Sequence, residues 1–295
     1  MSAAQPHQRG TIFLEDAAVL DHQAFAGGQY VLRLRAPRCA AAATPGSFVH
    51  LTCAPDLPMR RPLSIMRASA EAGWVEVLYK IVGHGLADLS LRVPGETLSC
   101  LGPIGRGFAP HAARPRVLLI GGGVGIPPLV FLAEALARDR GPWKPFALLG
   151  SELPFPFELA PSRQAVTGLP AGATAAMPLL EGLGVPCRLA SLSGFPGCHR
   201  GFVTELAEAW LGSIADSERA EVEIMSCGPH AMLVAVAALA RHHGVPCQVS
   251  LEENMACGVG GCAGCTVLVE TPEGPAMKRV CVDGPVFDAA TVFRD

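Results

Sequence analysis

Residues 251–287 read LEENMACGVGGCAGCTVLVETPEGPAMKRVCVDGPVF. Cys257, Cys262 and Cys265 stand at C-x4-C-x2-C spacing, and Cys281 follows after fifteen further residues. This is the plant-type pattern for a [2Fe-2S] centre, in which a tight triplet is completed by a distant fourth thiolate. Gly258, Gly260, Gly261 and Gly264 let the loop turn sharply around sulfur, and the amides it frees can donate to the sulfurs and help set the potential. Structural zinc competes for such thiols but usually shows two short paired knuckles. A disulfide framework would have the regular cysteines of a small secreted domain. The expectation is a cluster-binding lobe over 246–295 with Cys257, Cys262, Cys265 and Cys281 as metal ligands.

Toward the N-terminus, RVLLI at 116–120 runs into Gly121-Gly122-Gly123-Val124-Gly125-Ile126-Pro127-Pro128, and a helical pattern spans 129–137. A strand, a glycine turn and a helix offer unpaired N–H groups to phosphate. The spacing is not G-x-G-x-x-G, and no acidic residue stands about 20 positions on, so the layout differs from the dinucleotide fingerprint. PWKPFALLG at 142–150 reads as a second strand, and VEIMSC at 222–227 as a third that leads through Gly228 and Pro229 into another helix. Repeated strand then helix predicts a parallel sheet with both faces covered, over 114–245. Residues 151–184, rich in proline and alanine, read as a helical insertion with loops.

Earlier still, QYVLRLRA (29–36), PGSFVHL (45–51) and WVEVLYKIV (74–82) are short apolar runs, two of them alternating, separated by turn residues. They predict an antiparallel barrel over 1–113. Between the second and third stands RRPLSI at 60–65. An arginine fork and a serine hydroxyl beside a proline suit phosphate and flavin-ring hydrogen bonding, and suit a solvated turn equally. Gly83-His84-Gly85 and LGPIGRGF at 101–108 bring further glycines to strand ends, where they serve an anion or an ordinary hairpin.

The chain has 295 residues, enough for about two domains, and a formal net charge of -3, which gives nucleic acid no basic surface to bind. Half its residues are hydrophobic, yet glycine, proline or charge interrupts every apolar run before a membrane span of about 20 accumulates. Gln5, Pro6, His7, Gln8 and Arg9 break any signal-like opening. Eleven cysteines, an odd number without a leader, fit reduced thiols in the cytoplasm. Those outside the cluster stretch, such as Cys39, Cys53 and Cys187, read as small core residues.

RRPLSI, YKIVGHG, LGPIGRGF, GGGVGIPP, SCGPHAML and the cysteine stretch ending in CVDGPVF occur in an order that resembles the electron-transfer subunits of nicotinamide-dependent dihydroorotate dehydrogenases, within the ferredoxin-NADP reductase superfamily. The resemblance runs from about residue 45 to 287. It implies an FAD-binding barrel, an NAD-binding α/β domain and a [2Fe-2S] lobe. Carried over by position, Arg61, Pro62, Leu63 and Ser64 meet FAD, Leu78, Tyr79 and Lys80 line it, and Gly85 and Leu86 sit at its pyrophosphate. Gly121, Gly122, Gly123 and Gly125, with Cys227, Gly228 and Pro229, receive NAD, and Cys227 lies near the nicotinamide. The bare reading of Cys227 is a buried thiol at a strand end. Two departures stand out: Leu86 replaces a common threonine, and Ser191-Leu192-Ser193-Gly194-Phe195 replaces an acidic T-D-D-G-S segment, which bears on nicotinamide binding.

The resemblance further implies a separate FMN-containing catalytic subunit in a two-plus-two heterotetramer, with electrons reaching NAD through [2Fe-2S] and FAD in pyrimidine biosynthesis. No residue of this chain reads as the acid or base that would deprotonate dihydroorotate. Sister flavoproteins of sulfide dehydrogenases and glutamate synthase-like enzymes share the cysteine core, and a redox sensor that keeps both groups is a reading from another class.

Overall fold

The computed structural model describes residues 10–54 and 56–293; the opening segment 5–9 lies outside them. The first unit comprises β1 (Phe13–Phe25), β2 (Gln29–Arg35), α1 (Pro37–Ala42), β3 (Phe48–Leu51), β4 (Arg61–Ser69), β5 (Trp74–Lys80), α2 (Gly83–Leu89) and β6 (Thr97–Ile104). The six strands close into an antiparallel barrel in the order β1-β2-β5-β4-β3-β6. Alternating residues of β2 and β5 turn inward, so Leu32, Leu34, Val75, Val77 and Tyr79 share a buried core with Cys39, Cys53 and Cys100. The RRPLSI segment is not a solvated turn: all but its first residue open β4. Gly83 and Gly85 begin a helix, not a hairpin.

The second unit comprises β7 (Arg116–Gly122), α3 (Ile126–Arg138), β8 (Phe146–Gly150), β9 (Ala160–Pro161), β10 (Ala175–Ala176), α4 (Pro178–Gly182), β11 (Cys187–Ala190), α5 (Val203–Ser213), α6 (Asp216–Arg219), β12 (Val222–Cys227), α7 (His230–His243) and β13 (Cys247–Ser250). Its sheet runs β11-β8-β7-β12-β13, all parallel, and β16 (Val286–Asp288) adds an antiparallel edge. RVLLI reads as an unbroken apolar run because both faces are covered. Val117 and Leu119 pack with α3, whereas Leu118 and Ile120 pack with α5 and α7. Helix α3 lies between this sheet and β4 of the barrel, which explains why it is apolar nearly all round. It begins at Ile126, three residues ahead of the apolar pattern, with Pro127 and Pro128 in the first turn where their missing N–H groups cost nothing.

The segment 151–184 departs from the helical expectation. Apart from the short β9–β10 ladder and the five-residue α4, it is loop. Its prolines recur too closely for a longer helix to keep its backbone donors.

The cluster stretch stays tied to the parallel sheet on both sides. β13 completes the parallel sheet before it, β16 and α8 (Ala289–Val292) dock after it, and between them stands a hairpin of β14 (Thr266–Thr271) and β15 (Gly274–Arg279). No helix among the described residues is long and apolar enough to cross a membrane.

Candidate redox site

In the strand order β11-β8-β7-β12-β13 the direction of winding reverses between β7 and β12. Open parallel sheets bind ligands at such a switch point, beyond the carboxyl ends of the strands. Gly121 and Cys227 are register partners there, so the glycine turn and the Cys227-Gly228-Pro229 turn are side by side. Gly125 lies so close to the backbone of Cys227 that any side chain at 125 would collide with it. Cys227 is fully buried, and burial, with the Glu252 carboxylate adding to it, holds its thiol far above the ordinary range. It is a neutral thiol and not a nucleophile.

A cavity of about 390 Å³ opens at the end of the barrel, within the size range of small-molecule sites. Pro62, Leu63, Ser64, Leu78, Tyr79, Lys80 and Leu86 line part of it. Arg61 does not line it; its guanidinium lies against Gly85 at the start of α2 and donates to the Met59 carbonyl. Arg60 is structural, donating to the carbonyl and hydroxyl of Ser99 across the barrel. Tyr79 is tied from behind. His22 Nδ1–H donates to the carbonyl of Arg92 at 2.7 Å, and Nε2 shares a 2.8 Å hydrogen bond with the Tyr79 hydroxyl.

Sequence reading missed the opposite wall. Val124 of the glycine turn, Ser250 at the end of β13, Leu251, Glu252, Glu253, Asn254 and Met255 complete the cavity, with Pro285. Their one legible signal was adjacency to the cysteine loop. Glu252 is exposed at the cavity, and desolvation by the protein around it raises its carboxyl above the usual range.

The four cluster cysteines influence one another electrostatically in two pairs, Cys257 with Cys262 and Cys265 with Cys281. A two-iron centre requires such a division, two thiolates per metal. Burial pushes Cys257 up, but the N–H groups of Val259, Cys262 and Gly261, with the Cys262 side chain, outweigh it and bring the thiol down to about 7. Cys281 is pushed up to about 12 by burial and by Cys265; metal binding would have to displace its proton. Gly264 N–H donates to Cys262 Sγ, and Cys281 N–H lies 3.5 Å from Cys265 Sγ. Donor set and amides therefore fit the expected cluster.

Of the loop's turns, Gly258 and Gly260 take positive φ, but the third such residue is Ala263 at φ 54, not Gly261 or Gly264. Arg279 and Asp283, which the sequence did not single out, hold the loop shut. Asp283 accepts from the backbone N–H and Nε of Arg279, whose Nη1 donates to the Gly260 carbonyl. Beneath the loop lies His50 of β3, whose imidazole burial, with Arg60 nearby, holds below the usual histidine range.

The segment 191–195 forms the turn after β11, at the same edge of the sheet as the glycine turn. Its hydroxyls are used internally: Ser191 Oγ accepts from Ser193 N–H, and Ser193 Oγ donates to the Glu152 carbonyl.

Comparison with known proteins agrees with this layout. Residues 252–293 match the family model described as the iron-sulfur cluster binding domain of dihydroorotate dehydrogenase B. Among solved structures, the NADH-dependent reduced ferredoxin-NADP oxidoreductase aligns at TM-score 0.75 and 26% identity, covering 94% of this chain and 90% of that one. Phthalate dioxygenase reductase shares the fold at TM-score 0.53 and 14% identity, over 92% of this chain and 78% of its own. The electron transfer subunit of dihydroorotate dehydrogenase B (NAD(+)) from Caldanaerobacter subterraneus subsp. tengcongensis is 35% identical over 84% of this chain and 87% of its own length. That from Geobacillus thermodenitrificans is 36% identical over 94% and 98% respectively. The chain belongs to the electron-transfer subunits of NAD(+)-dependent dihydroorotate dehydrogenase B.

Proposed function

We propose that this chain carries electrons from dihydroorotate oxidation on a catalytic FMN subunit to NAD, in pyrimidine biosynthesis. The observation that carries this reading is one continuous segment. The stretch from Ser250 to Met255 forms a wall of the cavity, and Cys257, the first cluster ligand, follows two residues later. Cavity, glycine turn and cluster loop are therefore neighbours.

FAD, when bound, interconverts the two-electron hydride step of NAD and the one-electron steps of the cluster. The protein's part is placement. Leu63 and Leu78 would give the flavin an apolar wall, Ser64 a hydroxyl and Lys80 a positive charge, while Arg61 braces Gly85, which would face the pyrophosphate. Gly121, Gly122, Gly123 and Gly125, with Gly228 and Pro229, give NAD close access at the switch point, and Cys227 keeps that floor neutral and dry. Cys257, Cys262, Cys265 and Cys281 would hold the cluster. Functionally, the chain divides into the barrel, from residue 10 to residue 113 among the described residues, the α/β layer with β13 and β16, and a cluster lobe inserted between those two strands.

The partner docks where electrons enter. β14 and β15 rise directly from Cys265 and end just before Cys281, and their cross-strand pair Leu268 and Met277 is 55% and 60% exposed. Apolar pairs left in water at a redox centre suit a protein surface. The assembly is a cytoplasmic heterotetramer of two catalytic and two electron-transfer chains.

An anaerobic spectrum of the purified chain tests the reading. NADH should bleach flavin and iron-sulfur bands, and dihydroorotate should do so only with the catalytic subunit present. Bands that respond to dithionite but not NADH would overturn the NAD assignment. Orotate formed by the isolated chain would overturn the division of labour.

A further inference from the structure

His50 is fully buried in β3, flanked by the buried apolar residues Val49 and Leu51. Both its ring nitrogens lack a hydrogen-bond partner, and among the described residues they are the buried side-chain polar atoms of which this is true. The backbone of Arg60 and Met255 lies beside the ring without completing a bond. An unpaired buried polar group is costly, a cost that a leucine or valine in the same strand would avoid. Such a group calls for an explanation: a catalytic or redox role, or a partner not yet present.

The ring faces the cluster loop. A Cβ on Gly258 would stand 2.8 Å from Nδ1 and 3.5 Å from Cε1. With φ at +68°, Gly258 both turns the chain and lets it lie against the imidazole edge. Met255 and Gly258 flank Cys257 in the chain, so the imidazole lies against the part of the loop that carries this cysteine. Pro62 is the register partner of His50 on β4 and lines the cavity. His50 thus stands in the barrel wall between the cavity and the cluster loop.

We propose that His50 is a positioning residue of the cluster: its imidazole N–H donates a hydrogen bond to a sulfur of the loaded [2Fe-2S] site and raises its reduction potential. This rests on the cluster assignment above. A donor to sulfur favours the reduced, more negative form, and such outer partners are among the levers by which a protein sets cluster potential. The barrel thereby sets the potential of a group held by another part of the chain, with His50 as the link.

The test uses the complex with its catalytic subunit, loaded with FAD and cluster. His50→Phe fills the space without a donor, and His50→Asn keeps an N–H near the Nδ1 position. EPR-monitored redox titration should show the cluster midpoint lowered in His50→Phe by an amount equivalent to about tenfold in the one-electron equilibrium, about 59 mV. The flavin midpoint should stay in place, and His50→Asn should recover most of the shift. Should His50→Phe fail to fold, pulsed EPR of the reduced wild-type cluster with ¹⁵N-labelled histidine reads the same contact directly. Imidazole nitrogen coupling is expected. Its absence, or an unchanged midpoint in a His50→Phe protein with full iron and flavin, overturns the proposal. A wild-type complex without iron and sulfide would overturn the cluster assignment itself.

Discussion

Arg67 of the barrel strand β4 grips Glu134 of helix α3 with two hydrogen bonds, Nε to Oε2 at 3.1 Å and Nη2 to Oε1 at 3.0 Å. The pair joins the flavin-binding barrel to the nucleotide-binding layer. Glu134 is almost wholly buried and also accepts from Arg138. Removing one partner of a buried pair costs about 3–5 kcal/mol, and Arg138 offsets part of that. Arg67→Met is expected to lower stability by about 2–3 kcal/mol in denaturant titrations. It should also slow flavin reduction by NADH in stopped flow, because the two sites lose their fixed relation.

Gly125→Ala should damage the nicotinamide site alone. A methyl group there meets the Cys227 backbone, so the two turns must separate. NADH affinity should fall at least tenfold, a loss of about 1.4 kcal/mol. FAD content and iron content should be unchanged. Fluorescence titration of the oxidised protein with NAD, beside cofactor analysis, would measure both.

Cys265→Ser and Cys281→Ser should each lose the cluster, since these buried residues sit at the base of the hairpin. The flavin should remain reducible by NADH, because the cavity is lined by other segments. Iron content, and NADH-dependent reduction of a small artificial acceptor, would report the two halves separately. Loss of FAD in these variants would contradict the layout.

Glu252 gives a pH dependence with a definite sign. Burial raises its carboxyl in the folded chain, so the native state holds a proton that the unfolded state has already lost. Its contribution to stability is therefore fully present below the ordinary carboxylate value and is lost as pH rises through the raised one. Stability should decline over that window, and Glu252→Gln should flatten the decline. Denaturation midpoints measured across the window, in the variant and the parent, would check it.

Replacing the exposed Leu268 or Met277 by aspartate should weaken association with the catalytic subunit by about tenfold, the size of a modest interface contact. NADH-dependent reduction of artificial acceptors should not change. Analytical ultracentrifugation of mixed subunits would show it; an unaltered complex would move the docking surface elsewhere.

The cysteine spacing, the strand entering the glycine turn at Gly121 and the barrel strands were all legible in the sequence. Each depends on local spacing or on a period of two, which a linear reading captures. Other features came from contacts between distant segments. Nothing near residue 247 marks β13 as the last parallel strand, because its place is set by pairing with β12. Proline spacing, which limits residues 151–184 to loop and one short helix, was outweighed in the reading by their alanines. That the Arg61 guanidinium lies against Gly85 was set by how β4 and α2 pack, not by its place in RRPLSI.

By itself, then, the sequence determined which chemistry the chain holds: thiolates in a cluster spacing, glycines at strand ends and alternating strands for a barrel. Only the tertiary structure decided how these communicate. It set the switch point between β7 and β12, laid the stretch from Ser250 to Met255 along the cavity and placed His50 beneath Gly258, more than two hundred residues away in the chain. The reason is physical: spacing selects local backbone shape and ligand type, whereas the neighbour of a buried ring is chosen by how whole layers pack.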